Sequence, residues 1–402
     1  MSAIMMRFRF RLFATGAALA ISLLPARAEI SVDTNFPGGS GTVSSLDQET
    51  ATITLDPTDH PDRGWRCWWY VKLAGLVPEK PITLDVGEAP WATPDRATYS
   101  IDGGKTWQHS NQGTRDGKRI RYSLSFDTDT ALVAWGPPFV PSDAEALVKR
   151  LADSSPEADV FSLCRTREDR DTPALRISSA PHTDAARPLI WIQARQHAWE
   201  SGACWVGKGL AEWLLSDAPE AVRLRNSAEI VFVPIMDIDN VHRGAGGKSQ
   251  IPQDHNRDWS DTPHWHAVAA AQKEIRAAAE AGRLAAFIDL HNPGATDLFP
   301  YFYVPPKEIL SEAARQNLAT FLAHAKTEMT GPLRFTGRII ESGEKYDAKA
   351  WQRISKNWVA LLGTDAVSVT LETSWNTPAS TTAGYETVGR QLGLALAKYH
   401  SR

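Results

Sequence analysis

Two rhythms of apolar and polar positions divide this chain. Before residue 141 the apolar positions come in short aromatic or alternating runs, at 65–73, 82–86, 119–126 and 131–135, with turns such as Asp102-Gly103-Gly104 between them. A period of two, often interrupted by turn residues, predicts short strands and, from Ser31 to about Pro141, an antiparallel β-sandwich. The tryptophans clustered in these runs are read as packing between the sheets, where a large ring gains most contact, in preference to an exposed carbohydrate-binding face. After Ser142 the rhythm changes. Compact apolar runs at 189–194, 230–234, 284–290 and 366–371 show no polar face and predict strands buried on both sides. Helical patterns occupy 201–215, 262–281, 310–328 and 382–398. Strand and helix in alternation predict an α/β unit with a mixed sheet.

The ends of those strands carry the chemistry. The run at 189–194 leads into His197-Ala198-Trp199-Glu200, and the next helix starts directly after it. An imidazole and a carboxylate three residues apart on such a turn can reach one metal ion, and zinc accepts both donor types. A further ligand is expected from the end of another strand. The run at 284–290 delivers His291 just before the turn pair Pro293-Gly294, and open α/β sheets collect their ligands at the carboxyl ends of strands. The β-branched run at 366–371 delivers Glu372 in the same way. Two histidines and two glutamates at strand ends form a set for zinc-assisted hydrolysis. The metal would polarise a carbonyl and acidify its water, and Glu372 would be the general base that carries the proton, with Glu341 and Glu344 next in line.

Four ordered blocks then resemble the carboxypeptidase A-like (funnelin) zinc metallocarboxypeptidases, and within them the cytosolic carboxypeptidase branch with its N-terminal β-domain. Gln193 to Trp205 is similar to that branch's Q-x-R-x-H-P-x-E-S block, with Ala198 in place of proline. Val233 to Asn240 resembles its V-P-x-x-N-P-D-G stretch, with Asp237 and Asn240 as departures. Asp254-His255-Asn256-Arg257-Asp258-Trp259 matches its D-x-N-R-x-W block, and Thr370-Leu371-Glu372-Thr373 resembles the strand that bears its catalytic glutamate. The resemblance implies a mixed-sheet catalytic domain over residues 142–402, preceded by a β-sandwich domain over 29–141. It implies one zinc per chain held by His197, Glu200 and His291, with Asp254 bonded to the far ring nitrogen of His197. Asn256 and Arg257 would grip the C-terminal carboxylate of a peptide, a task suited to a planar guanidinium. The oxyanion would be met by Arg243 or, because the loop departs from the family spacing, by Lys248. Tyr346 would close over the substrate.

Composition and chain ends narrow the setting. Arg7, Arg9 and Arg11 precede an apolar stretch from Leu12 to Leu24, and Ala26-Arg27-Ala28 offers a cleavage site, so residues 1–28 read as a signal peptide and the mature protein as secreted and periplasmic. That stretch is shorter than the roughly 20 residues needed to span a bilayer, so no membrane partner is expected after its removal. Losing the segment's four arginines, with no acid among its residues, takes net charge from −4 to −8, which disfavours nucleic acid as a partner. Cys67, Cys164 and Cys204 allow one disulfide at most. Residue preference at the substrate's C-terminus rests on which of Arg334, Arg338, Lys345, Arg353 and Lys356 faces inward; a basic side chain there favours an acidic or small polar terminal residue. Two rival functions are a zinc-dependent deacylase of the aspartoacylase type and a catalytically inactive peptide-binding homologue. Oligomeric state is not legible.

Overall fold

The computed structural model describes residues 29–89, 93–179, 187–292 and 294–401, so the expected signal peptide lies outside the described residues. Ahead of the helix Pro141–Ser154, the chain builds two five-stranded sheets. One has the order Ser31–Asp33, Tyr70–Ala74, Thr130–Ala134, Thr98–Ser100, Gln108–His109; the other runs Thr42–Asp47, Thr52–Asp56, Ile82–Val86, Arg119–Leu124, Thr114–Asp116. Neighbours in both are antiparallel, apart from the parallel pair Thr52–Asp56 and Ile82–Val86. Inward residues of both sheets, such as Leu55, Val71, Leu84 and Val133, share one buried cluster with Trp68, Trp69 and Trp135, so these tryptophans are sandwich core.

One strand differs from its expected extent in a way that matters later. The run at 65–73 becomes a strand only from Tyr70, because Trp65 donates its backbone N–H to the carbonyl of Lys248 at 2.8 Å and Cys67 turns back onto the carbonyl of Trp65. A contact with a loop almost two hundred residues away outweighs a local pattern that favours strand.

The remainder is an eight-stranded mixed sheet in the order Ala158–Arg165, Asp171–Ile177, Glu229–Val233, Leu189–Ala194, Leu284–His291, Val367–Glu372, Tyr301–Val304, Ile339–Glu341. Its four central strands are parallel and almost wholly buried, as their unbroken apolar runs require. Side chains alternate across the sheet. Ile190 and Ile192 pack with helices Gly202–Leu214 and Thr382–His400, while Leu189 and Trp191 pack with helix His266–Glu280. That last helix starts later than its pattern predicts because the Asp258 carboxylate accepts the N–H groups of His264 and Trp265 and holds the preceding residues as a loop. From Leu189–Ala194 the chain crosses first to one side, to Glu229–Val233, and then to the other, to Leu284–His291. Strand order reverses there, and the crevice at such a reversal is where open α/β sheets bind ligands. The sandwich core continues into this unit, since Trp135 meets Trp199 at 5.1 Å and Trp375 at 4.4 Å between ring centroids. All three cysteines are free thiols.

Candidate active site

Strand register assembles the site at that reversal. His291 and Glu372 are Cα partners on adjacent parallel strands, and His197 follows the strand that flanks His291 on its other side. The turn to His197 passes through Arg195 at φ 65°, a left-handed conformation that is uncommon and strained for a residue with a side chain. The buried Arg195 guanidinium secures the turn, donating from Nε to the Ala198 carbonyl at 2.6 Å and from Nη1 to that of Phe139 at 3.2 Å.

Glu200 lies between the two imidazoles. Its oxygens face His197 Nδ1 at 2.8 Å and His291 Nδ1 at 2.7 Å, and the three residues bring donor atoms within 4.8 Å of one another, all buried. Both Nε2 atoms are turned away onto carboxylates, Asp254 at 3.2 Å from His197 and Asp289 at 3.0 Å from His291. Imidazoles so held present one fixed nitrogen each, as metal-ligating histidines do. Burial works against a positive charge on His291, yet Asp289 and Glu200 raise its pKa well above the usual imidazole range, so the field here favours a cation. Across the cavity, burial pushes the Glu372 carboxyl up to about 8, and its Oε2 is buried with no hydrogen-bond partner among the described residues. A partnerless buried carboxylate oxygen is costly in a purely structural role. The donor set, its carboxylate supports and this oxygen fit a divalent zinc, and the charge of that ion would draw the Glu372 pKa back down.

The other expected residues divide. Asp254 accepts the backbone N–H of Ser249 and Asn256 besides facing His197; burial opposes its ionisation, but His197, Lys248 and Arg257 hold its pKa well below the usual range. Asn256 and Arg257 line an inner cavity next to Glu372, and Arg257 is fixed by Nε on Asp347 at 2.8 Å and Nη1 on the Asn256 carbonyl at 2.9 Å. Tyr346, 45% exposed, stands at the mouth with its ring 5.2 Å from that of Tyr303. Arg243 does not reach the cavity. It ends the short helix Ile238–Arg243, and its guanidinium points to Glu168, 2.8 Å from both oxygens. Lys248 comes in instead, with Nζ 3.4 Å from His197 Nε2 and 3.8 Å from Asp254, and it lines both the inner cavity and an outer one of about 490 Å³. The Asp237 and Asn240 departures pair with each other at 2.8 Å, capping that helix.

Of the five basic candidates, Lys356 lines the inner cavity and Arg338 the outer. Lys356 is buried, with Nζ on the hydroxyl of Ser342 and 3.3 Å from Asn357 Oδ1, and no carboxylate lies within ion-pair distance of it among the described residues. Burial and the nearby Arg257 lower its pKa to about 7. Glu341 and Glu344 are exposed.

Sequence reading missed Asp289 and gave Arg195 no role. Asp289 had a signal: residues two apart on a strand share a face, so an Asp-x-His run at a strand end sets the carboxylate beside the imidazole. Asp289 also accepts from Gln196 at 2.5 Å and Ser355 at 2.6 Å, contacts with no sequence signature.

Comparison with known proteins gives the same picture. A family model described as zinc carboxypeptidase matches residues 144–379. Cytosolic carboxypeptidase 1 of Mus musculus is 30% identical over 162 residues, 37% of this chain and 13% of that protein. Cytosolic carboxypeptidase 2 of Homo sapiens is 27% identical over 199 residues, 46% of this chain and 22% of that one. The matched stretch is thus a small part of these longer relatives. Among solved structures, a metallo-carboxypeptidase from Burkholderia cenocepacia superposes with a TM-score of 0.79 at 21% identity, over 92% of this chain and 98% of that one. A Pseudomonas aeruginosa metallo-carboxypeptidase in complex with (2-guanidinoethylmercapto)succinic acid superposes at 0.75 and 20% identity, over 92% and 98%. These two likenesses establish a shared fold that includes the N-terminal sheets.

Proposed function

The chain belongs to the zinc carboxypeptidase family, and from that membership we propose that it removes C-terminal residues from peptides, with acidic residues preferred. The observation that carries the reading is a buried His197–Glu200–His291 donor set next to Glu372, whose Oε2 has no hydrogen-bond partner among the described residues, with His197 and Glu372 lining one cavity together with Asn256, Arg257 and Lys356.

His197, Glu200 and His291 would hold the zinc. When bound, the ion would polarise the scissile carbonyl and make water a better nucleophile at neutral pH. Asp254 and Asp289 orient the imidazoles. Glu372 takes a proton from the attacking water and passes it to the leaving amine, a role open to a buried carboxylate whose Oε2 has no hydrogen-bond partner among the described residues. Lys248 supplies positive charge to the developing oxyanion; its entry into both cavities supports this, and Arg243 is engaged elsewhere. Arg257, set in place by Asp347 before substrate arrives, receives the terminal carboxylate with Asn256.

Lys356 supports the finer reading. A buried amine without a carboxylate partner gains a counter-ion when an acidic side chain enters, and its pKa then rises back toward its ordinary value. For the setting, the arginines and apolar stretch of residues 1–28 support export to the periplasm, with residues 29–141 and 142–402 as the two mature domains. Purified protein should contain about one zinc per chain. A peptide library varied only at the last residue, read by mass spectrometry, should show loss of single C-terminal residues that stops on chelation. Activity in a metal-free preparation would overturn the zinc assignment; release of bulky apolar residues first would overturn the acidic preference alone. Fractionation of expressing cells, with N-terminal sequencing of the mature chain, tests the address.

A further inference from the structure

The outer cavity, about 490 Å³, draws part of its lining from the N-terminal sandwich. His197, Lys248, Tyr303, Tyr346 and Glu372 line both cavities, so the reacting centre lies where they meet. With the C-terminal residue on the inner side, beside Arg257 and Lys356, the peptide before the scissile bond has to pass outward. Its way leads past Trp65, which belongs to the N-terminal sandwich.

Trp65 is held there firmly. Its N–H bonds the Lys248 carbonyl at 2.8 Å, Gly247 N–H bonds the Arg63 carbonyl at 2.8 Å, and Ile251 N–H bonds the Asp62 carbonyl at 2.9 Å. The two loops touch so closely that a Cβ on Gly246 would stand 2.0 Å from the Trp65 carbonyl, and one on Gly64 2.4 Å from that of Lys248. Arg63 adds an ion pair to Glu168 at 2.9 Å. The tyrosines at 301, 303 and 346 line the same cavity as Trp65. Two further charged residues of the lining, Asp297 and Arg338, form an ion pair, and the Arg338 guanidinium lies over Tyr301, 4.2 Å from the ring centroid. Lys248 and Glu372, which line both cavities, put their charges where the two meet; among the other lining residues Trp65, Trp199 and the three tyrosines supply large rings, which favour a large apolar side chain.

We infer that Trp65 forms a subsite for an aromatic or large apolar side chain on the penultimate residue of the peptide, so that the N-terminal domain sets substrate choice. The inference rests on the carboxypeptidase reading above. Peptides with a fixed C-terminal glutamate and Phe, Leu, Gly or Asp before it form the test. The native enzyme should show kcat/KM about tenfold higher with Phe than with Gly, the range that apolar pockets provide. Trp65→Ala should bring that ratio close to one, whatever its effect on absolute rates, and Trp65→Phe should restore it. A ratio of one in the native enzyme, or an unchanged ratio in Trp65→Ala, would overturn the subsite. Calorimetric binding of the same peptides to Glu372→Gln makes the comparison without turnover. If the native enzyme releases no C-terminal residue while binding still favours Phe and loses that preference with Trp65, the carboxypeptidase reading fails and the subsite stands.

Discussion

The two sides of the cavity are built by different means. His197, Glu200, His291 and Glu372 stand at or just beyond the ends of central parallel strands, every one of them buried, with register setting His291 opposite Glu372. Lys248, Tyr346, Trp65 and Lys356 come from loops and a short helix, and each is placed by contacts with segments far away in sequence. The strand side would hold metal and base; the loop side would hold substrate. A strand end has little choice of position once its neighbours are paired, whereas a loop side chain goes where its strongest partner is. Arg243 and Lys248 make the contrast plain. They lie five residues apart, and one is drawn outward to Glu168 while the other is drawn inward to Asp254 and His197.

The sharpest way to break this division is to alter one residue on each side. Glu372→Gln should cut kcat by about 10²–10⁴-fold while zinc content stays near one per chain, because the substitution removes only the proton carrier. Near-native turnover in that variant would move the base to another group.

Lys248→Ala set against Arg243→Ala tests which cation serves the oxyanion. Loss of an oxyanion donor costs on the order of 10²–10³-fold in kcat, and Lys248→Ala should approach that. Arg243→Ala should change kcat by less than about twofold and stability by at most about 1 kcal/mol, as expected of a half-exposed ion pair. The reverse pattern would restore Arg243 to the site.

Asp289→Asn probes the support behind the strand side. Removing the carboxylate that orients a ligating histidine weakens metal binding by about 10–100-fold, measurable by competition with a chromophoric chelator. Unchanged affinity would make Asp289 a packing residue.

Lys356→Met should lower the preference for acidic over apolar C-terminal residues by about tenfold, a smaller effect on the loop side. Its pH behaviour carries a sign. The folded pKa is near 7 and the ordinary lysine value is 10.5, so between them the unfolded chain holds a proton that the folded one lacks, and this group makes stability rise with pH. Lys356→Met should remove that slope, seen as the difference in Tm between native and variant from pH 7 to 10. The acidic preference of the native enzyme should weaken as pH climbs through 7. A preference independent of pH, with no change in the variant, would place the specificity elsewhere.

What the sequence by itself determined is the part that depends on near neighbours and on period. Unbroken apolar runs marked the central strands, alternation and turns marked the sandwich, and the donors following those runs marked the site, because the carboxyl end of a buried strand leaves few places for its next residues to go. Asp254 was legible through a family block and Asp289 was available from strand alternation alone. Only the tertiary structure decided that 65–69 leaves the strand to meet the Lys248 loop, that Lys356 alone of the five basic candidates lines the inner cavity, and that Arg243 turns away. Each of those outcomes is a competition among partners brought close by folding, and the winner is set by which charge or backbone group arrives within hydrogen-bond reach. Pairing at that range has no period, so it leaves no pattern along the chain.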